Sequence, residues 1–165
     1  MSSNKSTIGN GKYRQGKYNL INKGKYIGDP DNIVFRSSWE YAFCQYLDNN
    51  EKVMRWACEQ PIISYTDLRG GLHRYYPDFF YEIKTNDENL MSRVIVEIKP
   101  KKELYPPDKP KNETAKALES YEYAVRTHIK NKLKWSASVD YAKKRGMEFI
   151  IITEEHLQKW GLLKS

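Results

Sequence analysis

The segment FRSSWEYAFCQYLDNN carries apolar residues at the spacing of a helix. Trp39, Phe43 and Leu47 recur every four positions, which brings side chains to one face of an α-helix. The serine pair just before them offers a suitable N-cap, because a serine oxygen accepts a hydrogen bond from the first turn. The pattern therefore predicts a first helix over about residues 38–48.

Residues 53–99 follow a different pattern, with short runs of strand-forming residues separated by turn signals. VMRWACEQPIISYTDL predicts one or two strands, and the glycine pair at Gly70 and Gly71 predicts a hairpin tip. HRYYPDFFYEI then predicts a returning strand, and a turn over residues 85–89 leads into a strand at 92–99. Because consecutive strands usually lie beside each other, we expect an antiparallel meander of three strands.

The second half of the chain begins with a basic loop at residues 100–111, where repeated prolines exclude a regular element. Residues 112–145 contain neither proline nor glycine, and the apolar stripe shifts in phase near Asn131. This predicts two consecutive helices or one bent helix, with Gly146 as the C-terminal cap. MEFIIITEEHL predicts a buried strand, and a short helix or tail follows. The predicted class is α/β, with a central mixed sheet flanked by helices.

Composition limits the class of protein. A chain of 165 residues, 39% of them hydrophobic and 30% charged, suits one globular domain. Its longest apolar run, near residues 149–152, is too short to span a membrane, and the first residues lack the apolar stretch of a signal peptide. Cys44 and Cys58 fit neither a disulfide framework nor a zinc site, so we expect them to be reduced in a cytosolic setting.

The charge is unevenly distributed along the chain. The net charge is +7, and residues 1–28 hold six basic residues, three tyrosines and no acidic residue. Basic side chains neutralise phosphates and aromatic rings stack on bases, although a solvated arm has the same composition. We therefore predict a basic, tyrosine-containing arm over residues 1–30 and a single domain over residues 31–165.

Two charged residues close the predicted strand at 92–99. Side chains alternate along a strand, so Glu97 and Lys99 project from the same face. Asp78 begins the preceding strand, and Pro77 before it suits a strand start, an edge or a bulge because it lacks an N–H donor. When these two strands pair, Asp78 lies beside Glu97.

Two converging carboxylates repel each other, and a hard cation relieves that repulsion. Mg²⁺ prefers oxygen ligands at about 2.0–2.1 Å and keeps several waters. Asp78, Glu97 and the backbone carbonyl of Ile98 are candidates for three ligand positions. The ion would acidify a bound water and neutralise charge on a phosphate, while Lys99 orients that water or stabilises the transition state. The sequence leaves open whether Lys99 is a base or an electrostatic clamp.

This arrangement, a Pro-Asp pair followed by Glu97-Ile98-Lys99, resembles the signature of the PD-(D/E)XK nuclease superfamily. The predicted order of helix, three-strand meander, helix and strand is similar to the restriction-endonuclease-like core of that superfamily, over roughly residues 33–155. The likeness is greatest to the head-completion nucleases of contractile-tailed phages. It rests on the segments YRQGKY, KYIGDP, FRSSWE, YYPDFF, VEIKPKKE and NKLKW followed by KKRGMEFIIITEE. A looser likeness is to the end-cleaving endonuclease subunit of heteromeric bacterial transposases.

The resemblance implies metal-dependent hydrolysis of DNA phosphodiester bonds, with Mg²⁺ as cofactor and Mn²⁺ as its substitute. The implied catalytic residues are Asp78, Glu97, Lys99 and Glu40, and Glu40 on the first helix is also an implied metal ligand. The implied substrate is double-stranded DNA in packaged phage heads before tails join, with portal or neck proteins as partners. The implied location is the host cytoplasm during virion assembly, or the virion itself.

Basic residues near this site and in the arm predict contacts to the DNA backbone. The loop at 100–111 leaves the strand directly after Lys99, so its first lysines lie near the scissile phosphate. Such contacts fix the register on DNA without reading its sequence. The predicted DNA-contacting residues are Lys101, Lys102, Arg36, Lys12, Arg14 and Lys17.

Two alternative functions stay open at this point. The first is a non-catalytic structural protein of head completion that binds DNA ends or the portal. The second is a nuclease with the same chemistry that cleaves transposon ends or branched junctions. The number of metal ions, the preference for ends or internal bonds, and the oligomeric state do not follow from the sequence.

Overall fold

The computed structural model describes residues 15–87 and 90–164. The strands in these residues are β1 (Gly16–Lys17), β2 (Val34–Phe35), β3 (Val53–Cys58), β4 (Ile63–Thr66), β5 (Leu72–Tyr75), β6 (Phe79–Lys84), β7 (Met91–Ile98) and β8 (Glu148–Ile152). The helices are α1 (Ser38–Asn49), α2 (Ala115–Lys143) and α3 (Glu154–Lys159). None of the described helices is both long and apolar enough to cross a membrane.

The central sheet has four strands in the order β3-β6-β7-β8. The first three are antiparallel neighbours, and β8 joins β7 in parallel, so the predicted mixed sheet and meander are confirmed. The predicted returning strand is in fact two strands, because the chain leaves the β4-β5 hairpin at Tyr75 and enters the central sheet only at Phe79. Pro77 lies in this break, where its missing N–H leaves no gap in a ladder.

The two faces of the sheet bury different sets of side chains. Val94, Val96 and Ile98 join one hydrophobic cluster together with α1, the N-terminal segment and Leu157 of α3. Ile95 joins the other cluster, with residues of the β4-β5 hairpin and α2. Alternation along β7 was therefore predicted correctly, and Glu97 belongs to the face covered by the hairpin and α2.

Residues 15–35 pack against the domain. Tyr18 is buried, and its ring meets Trp56 edge-on with the centroids 6.1 Å apart. Tyr26 packs on the same tryptophan at 4.8 Å. Lys25 donates hydrogen bonds to the carbonyls of Asp48 and Asn50 at the end of α1, where a cation also suits the helix dipole. Tyr18 is thus part of the core and half-buried Tyr26 packs against it, which does not favour stacking on bases, one of the two possibilities that the composition left open.

Residues 115–143 form one continuous helix, so the predicted alternative of two consecutive helices is wrong. Thr114 caps the helix by accepting from the Ala117 amide at 3.2 Å, and no breaker interrupts it. The buried residues of α2 are Trp135, Ser138 and Ala142, all in its C-terminal half. The apolar stripe shifts because only that half packs on the sheet and hairpin. The proline-rich loop, with a short 3-10 turn at Lys101–Leu104, lies along the other half.

Candidate active site

The end of β7 places an acid and a lysine in direct contact. The ammonium Nζ of Lys99 lies 3.1 Å from Oε1 of Glu97, whose side chain is almost fully buried. The second oxygen of Glu97 accepts a short hydrogen bond from the hydroxyl of Tyr75, which is buried as well. Both oxygens of Glu97 are therefore held in place, one by a cation from its own strand and one by the hairpin.

Asp78 lies beside this pair, immediately before β6. Since Phe79 pairs with Val96, the next residues outward, Asp78 and Glu97, face each other across the ladder. Oδ2 of Asp78 accepts a hydrogen bond of 2.7 Å from the Ile98 amide. Burial and the nearby Glu97 carboxylate raise the pKa of Asp78 to about 8, against smaller opposing effects of the Ile98 amide and Lys99. Burial disfavours the charged form of Asp78, and the Glu97 carboxylate repels a second negative charge, so both effects raise the pKa.

Lys99 stays charged in this surrounding. Burial alone lowers the pKa of its ammonium, but the carboxylates of Glu97 and Asp78 and the hydrogen bond to Glu97 outweigh it, so the pKa lies above its ordinary value. A lysine held in its charged form stabilises negative charge and does not accept a proton. The raised pKa favours the electrostatic alternative for Lys99, and its role in the reaction stays a prediction.

Glu40 lies in the first turn of α1, where the sequence predicted it, and its carboxylate already has partners. It accepts hydrogen bonds from the Arg36 amide at 2.8 Å and from the Ser37 hydroxyl at 3.2 Å. Ser37 in turn accepts from the Glu40 amide, so it is the N-cap. Glu40 is also one of the charges that raise the pKa of Asp78. Its role as a metal ligand stays a prediction, as does that of the Ile98 carbonyl.

The predicted DNA contacts lie in different surroundings. The guanidinium of Arg36 pairs with Glu59 at 2.5 Å, beside Asp78, and the ammonium of Lys101 pairs with Glu155 at 2.6 Å. Lys102 is exposed on the 3-10 turn after β7, and Lys17 is exposed on β1. The predicted contacts outside the described residues are Lys12 and Arg14.

Two neighbours of the site were not predicted from the sequence. Tyr75 belongs to the β4-β5 hairpin, and Lys134 of α2 places its Nζ 5.2 Å from the centre of the Tyr75 ring. Tyr75 contacts Glu97, and Lys134 contacts Tyr75, because the hairpin and α2 fold onto the same face of the sheet. A signal for Tyr75 exists in the sequence, since it stands three residues before Asp78 within the predicted returning strand.

The site presents two carboxylates to a cation. Within residues 15–87 and 90–164, no three His, Cys, Asp or Glu side chains form a group suited to a metal ion. A pair of carboxylates nevertheless fits Mg²⁺, which proteins commonly hold through one or two carboxylates, with waters and substrate phosphates completing the shell. Asp78 and Glu97 provide that donor set, and a cation between them would relieve the repulsion that raises the pKa of Asp78.

Comparisons with known proteins agree with this geometry. A family model described as TnsA-like endonuclease N terminal matches residues 50–154, which include Asp78, Glu97 and Lys99. The chain is also 37% identical over 147 residues to the head completion nuclease of Enterobacteria phage T4, a match that covers 88% of this chain and 95% of that protein. No solved structure matches the chain. Nucleases of this kind generally depend on divalent metal ions. The chain belongs to the TnsA-like endonuclease N-terminal family, and it is a DNA nuclease.

Proposed function

We propose that this nuclease hydrolyses phosphodiester bonds of double-stranded DNA with Mg²⁺ held by Asp78 and Glu97. The observation that carries the proposal is the grouping of three ionisable side chains where β6 begins and β7 ends, in the middle of the sheet. Glu97 contacts Lys99 at 3.1 Å, and the Glu97 carboxylate raises the pKa of Asp78. Folding alone gains nothing from two adjacent carboxylates, because they repel each other. A divalent cation is the ligand that makes the arrangement favourable.

The residues of the chain divide the chemistry between them. Asp78 must lose its proton before it can donate to a cation, and the bound Mg²⁺ would supply an acidified water and charge neutralisation at the phosphate. Glu97 is oriented by Tyr75 and Lys99, so its oxygens are positioned before substrate arrives. Lys99 stabilises negative charge that develops on the scissile phosphate. Glu40 and the Ile98 carbonyl complete the proposed ligand set, and Mn²⁺ substitutes for Mg²⁺.

The biological setting that we propose is phage head completion, before heads and tails join. Support comes from the head completion nuclease of phage T4, which this chain matches over nearly its whole length. Portal or neck proteins are the proposed partners. The proposed location is the host cytoplasm during virion assembly, with retention in the virion afterwards.

Incubation of the purified protein with supercoiled plasmid and Mg²⁺ tests the proposed activity. We expect nicked or linear products that EDTA abolishes and Mn²⁺ restores. The variants Asp78→Ala and Lys99→Ala should lose cleavage, whereas Lys143→Ala, an exposed lysine at the end of α2, should retain it. A wild-type protein that leaves plasmid intact with every divalent metal would instead indicate the non-catalytic DNA-end or portal-binding protein.

The match to the TnsA-like family favours one second candidate, an endonuclease that cleaves transposon ends or branched junctions. Such an enzyme should strongly prefer its own end sequence or a branched substrate. A head-completion nuclease that reads phosphates should cleave linear, supercoiled and branched DNA at similar rates, with little sequence preference. A comparison of these substrates at one salt concentration therefore separates the two.

A further inference from the structure

Lys134 extends from the middle of α2 towards the active-site face of the sheet. Its side chain is half-buried, and its Nζ lies 5.2 Å from the centre of the Tyr75 ring. The hydroxyl of that ring donates to Glu97, the acid that contacts Lys99. A single aromatic side chain thus separates this ammonium from the acid and lysine of the site.

The charges around Lys134 leave it without a carboxylate of its own. Among the ion pairs of the described residues, none includes its ammonium. Burial lowers its pKa, Lys130 one turn earlier and Lys99 lower it further, and the more favourable charges of Glu97 and Asp78 do not compensate. A partly buried cation beside two like charges is unfavourable unless an anion joins it.

The neighbouring active site indicates what kind of anion Lys134 would bind. The ammonium of Lys99 already pairs with Glu97. Lys99 is therefore held beside the acids and is not free to bind a phosphate that lies further from them. Lys134 approaches the same acids from another element and has no such constraint. Packing on the Tyr75 ring alone is a weaker reason for this lysine, because a cation–π contact at a partly exposed site contributes only about 0.5–1 kcal/mol.

We propose that Lys134 binds a phosphate of the DNA next to the scissile bond, and so holds the substrate against the β7 end of the site. This inference rests on the proposed function, and it adds a backbone contact from α2 that is separate from the loop lysines. Lys130, exposed one turn earlier on the same face of the helix, is then positioned for a neighbouring phosphate.

Binding to a short DNA duplex tests the proposal in the Asp78→Asn background, where the duplex stays intact during the measurement. Adding Lys134→Gln should weaken binding about tenfold, and it should reduce the slope of log K against log salt concentration by about one. Lys134→Arg should retain most of the affinity. The matched control is Lys132→Gln on the same helix, because Lys132 is exposed and turned away from Lys134.

The salt slope separates phosphate binding from a structural role, since a lysine that only packs on Tyr75 does not change it. Lys134→Met retains the aliphatic contact without the charge, and its thermal melting shows whether the fold is intact. Equal affinity and equal slope in Lys134→Met, Lys134→Gln and the Lys132 control would overturn the proposal. Failure of the wild-type protein to cleave DNA would refute the proposed function instead, and the binding result would still decide the role of Lys134.

Discussion

Two aspartates of the domain, Asp48 and Asp78, have carboxylates in very different surroundings. Asp48, at the end of α1, is fully buried and accepts hydrogen bonds from the Tyr18 hydroxyl and the Ile21 and Asn22 amides, at 2.8–2.9 Å. Burial raises the pKa of Asp48, but these donors outweigh it and hold the pKa below its ordinary value. Asp78 has one amide donor and a carboxylate neighbour, and its pKa rises to about 8.

The difference indicates that Asp48 stabilises the fold, whereas Asp78 is placed to bind a ligand. A carboxylate surrounded by donors is stable as an anion, and it fixes the N-terminal segment onto α1. A carboxylate beside another acid is unfavourable as an anion until a cation arrives. Strain of this kind is typical of active sites, where stability is lowered in favour of function.

The largest effect should follow from removing the charge of Asp78. Asp78→Asn should lower the Mg²⁺-dependent cleavage rate by about a thousandfold or more, because a metal ligand at the reacting phosphate is lost. Its melting temperature in EDTA should not fall. Plasmid cleavage and a thermal melt check both points. Asp140→Asn, at an exposed position of α2, is the matched control and should behave as wild type. A destabilised Asp78→Asn protein would contradict the contrast.

Asp48 should show the opposite result. Asp48→Ala leaves buried donors of Tyr18, Ile21 and Asn22 without an acceptor, so the free energy of unfolding should fall by about 3 kcal/mol. Urea unfolding in EDTA measures the loss. Below its melting temperature the folded variant should cleave DNA within about threefold of wild type. Loss of cleavage in a fully folded Asp48→Ala protein would place this aspartate in the catalytic machinery.

Tyr75 should affect the rate more than the fold. Tyr75→Phe keeps the ring under Lys134 and removes the donor that orients Glu97. We expect the rate of cleavage at saturating DNA to fall about tenfold, the usual effect of losing one hydrogen bond to a charged group. The affinity for DNA should change less than twofold. Single-turnover kinetics separate the two quantities, and Tyr65→Phe, buried in the same hairpin, is the control.

The pH dependence of stability should differ in sign between the two aspartates. The pKa of Asp48 is lower in the folded state, so its contribution is present above the unfolded pKa of about 3.9 and is lost as the pH falls through the folded pKa. The pKa of Asp78 is raised to about 8, so folding must retain a proton that the unfolded chain has released. Asp78 therefore destabilises the protein increasingly as the pH rises from about 4 to about 8.

Unfolding by urea at pH 5 and pH 8 in EDTA measures this difference. Asp78→Asn should be more stable than wild type at pH 8, and the difference should shrink by about 1.4 kcal/mol for each pH unit towards pH 5. Saturating Mg²⁺ at pH 8 should narrow the difference again, because the ion stabilises only the wild-type site. If the free energy of unfolding of Asp78→Asn exceeded that of wild type by the same amount at both pH values, Asp78 would already be ionised in the folded protein.

Local periodicity was sufficient to predict that Glu97 and Lys99 lie together, with Asp78 near them. Helical spacing gave α1 with Glu40 in its first turn, and alternation placed Glu97 and Lys99 on one face. Proximity of Asp78 to Glu97 required only that consecutive strands pair, which short connections favour. These features depend on residues close together in the sequence, where the periods of helix and strand are reliable guides.

Contacts between distant segments were not predictable in the same way. Tyr75 reaches Glu97 only because the β4-β5 hairpin folds over the end of β7, and Lys134 reaches Tyr75 only because α2 packs on that face. The alternation of side chains within a hairpin does not predict which surface of the domain that hairpin covers. For the same reason the composition of the basic arm did not predict that Tyr18 lies in the core, or that Tyr26 packs against it, around Trp56.

A crystal structure of the protein with Mn²⁺ tests the central claim most directly, because anomalous scattering locates the ion without reference to activity. We expect an anomalous peak between the carboxylates of Asp78 and Glu97, about 2.1–2.2 Å from an oxygen of each. Lys99 should still lie beside Glu97. No peak at these two residues, at a Mn²⁺ concentration that supports cleavage, or a peak held by other side chains, would contradict the claim.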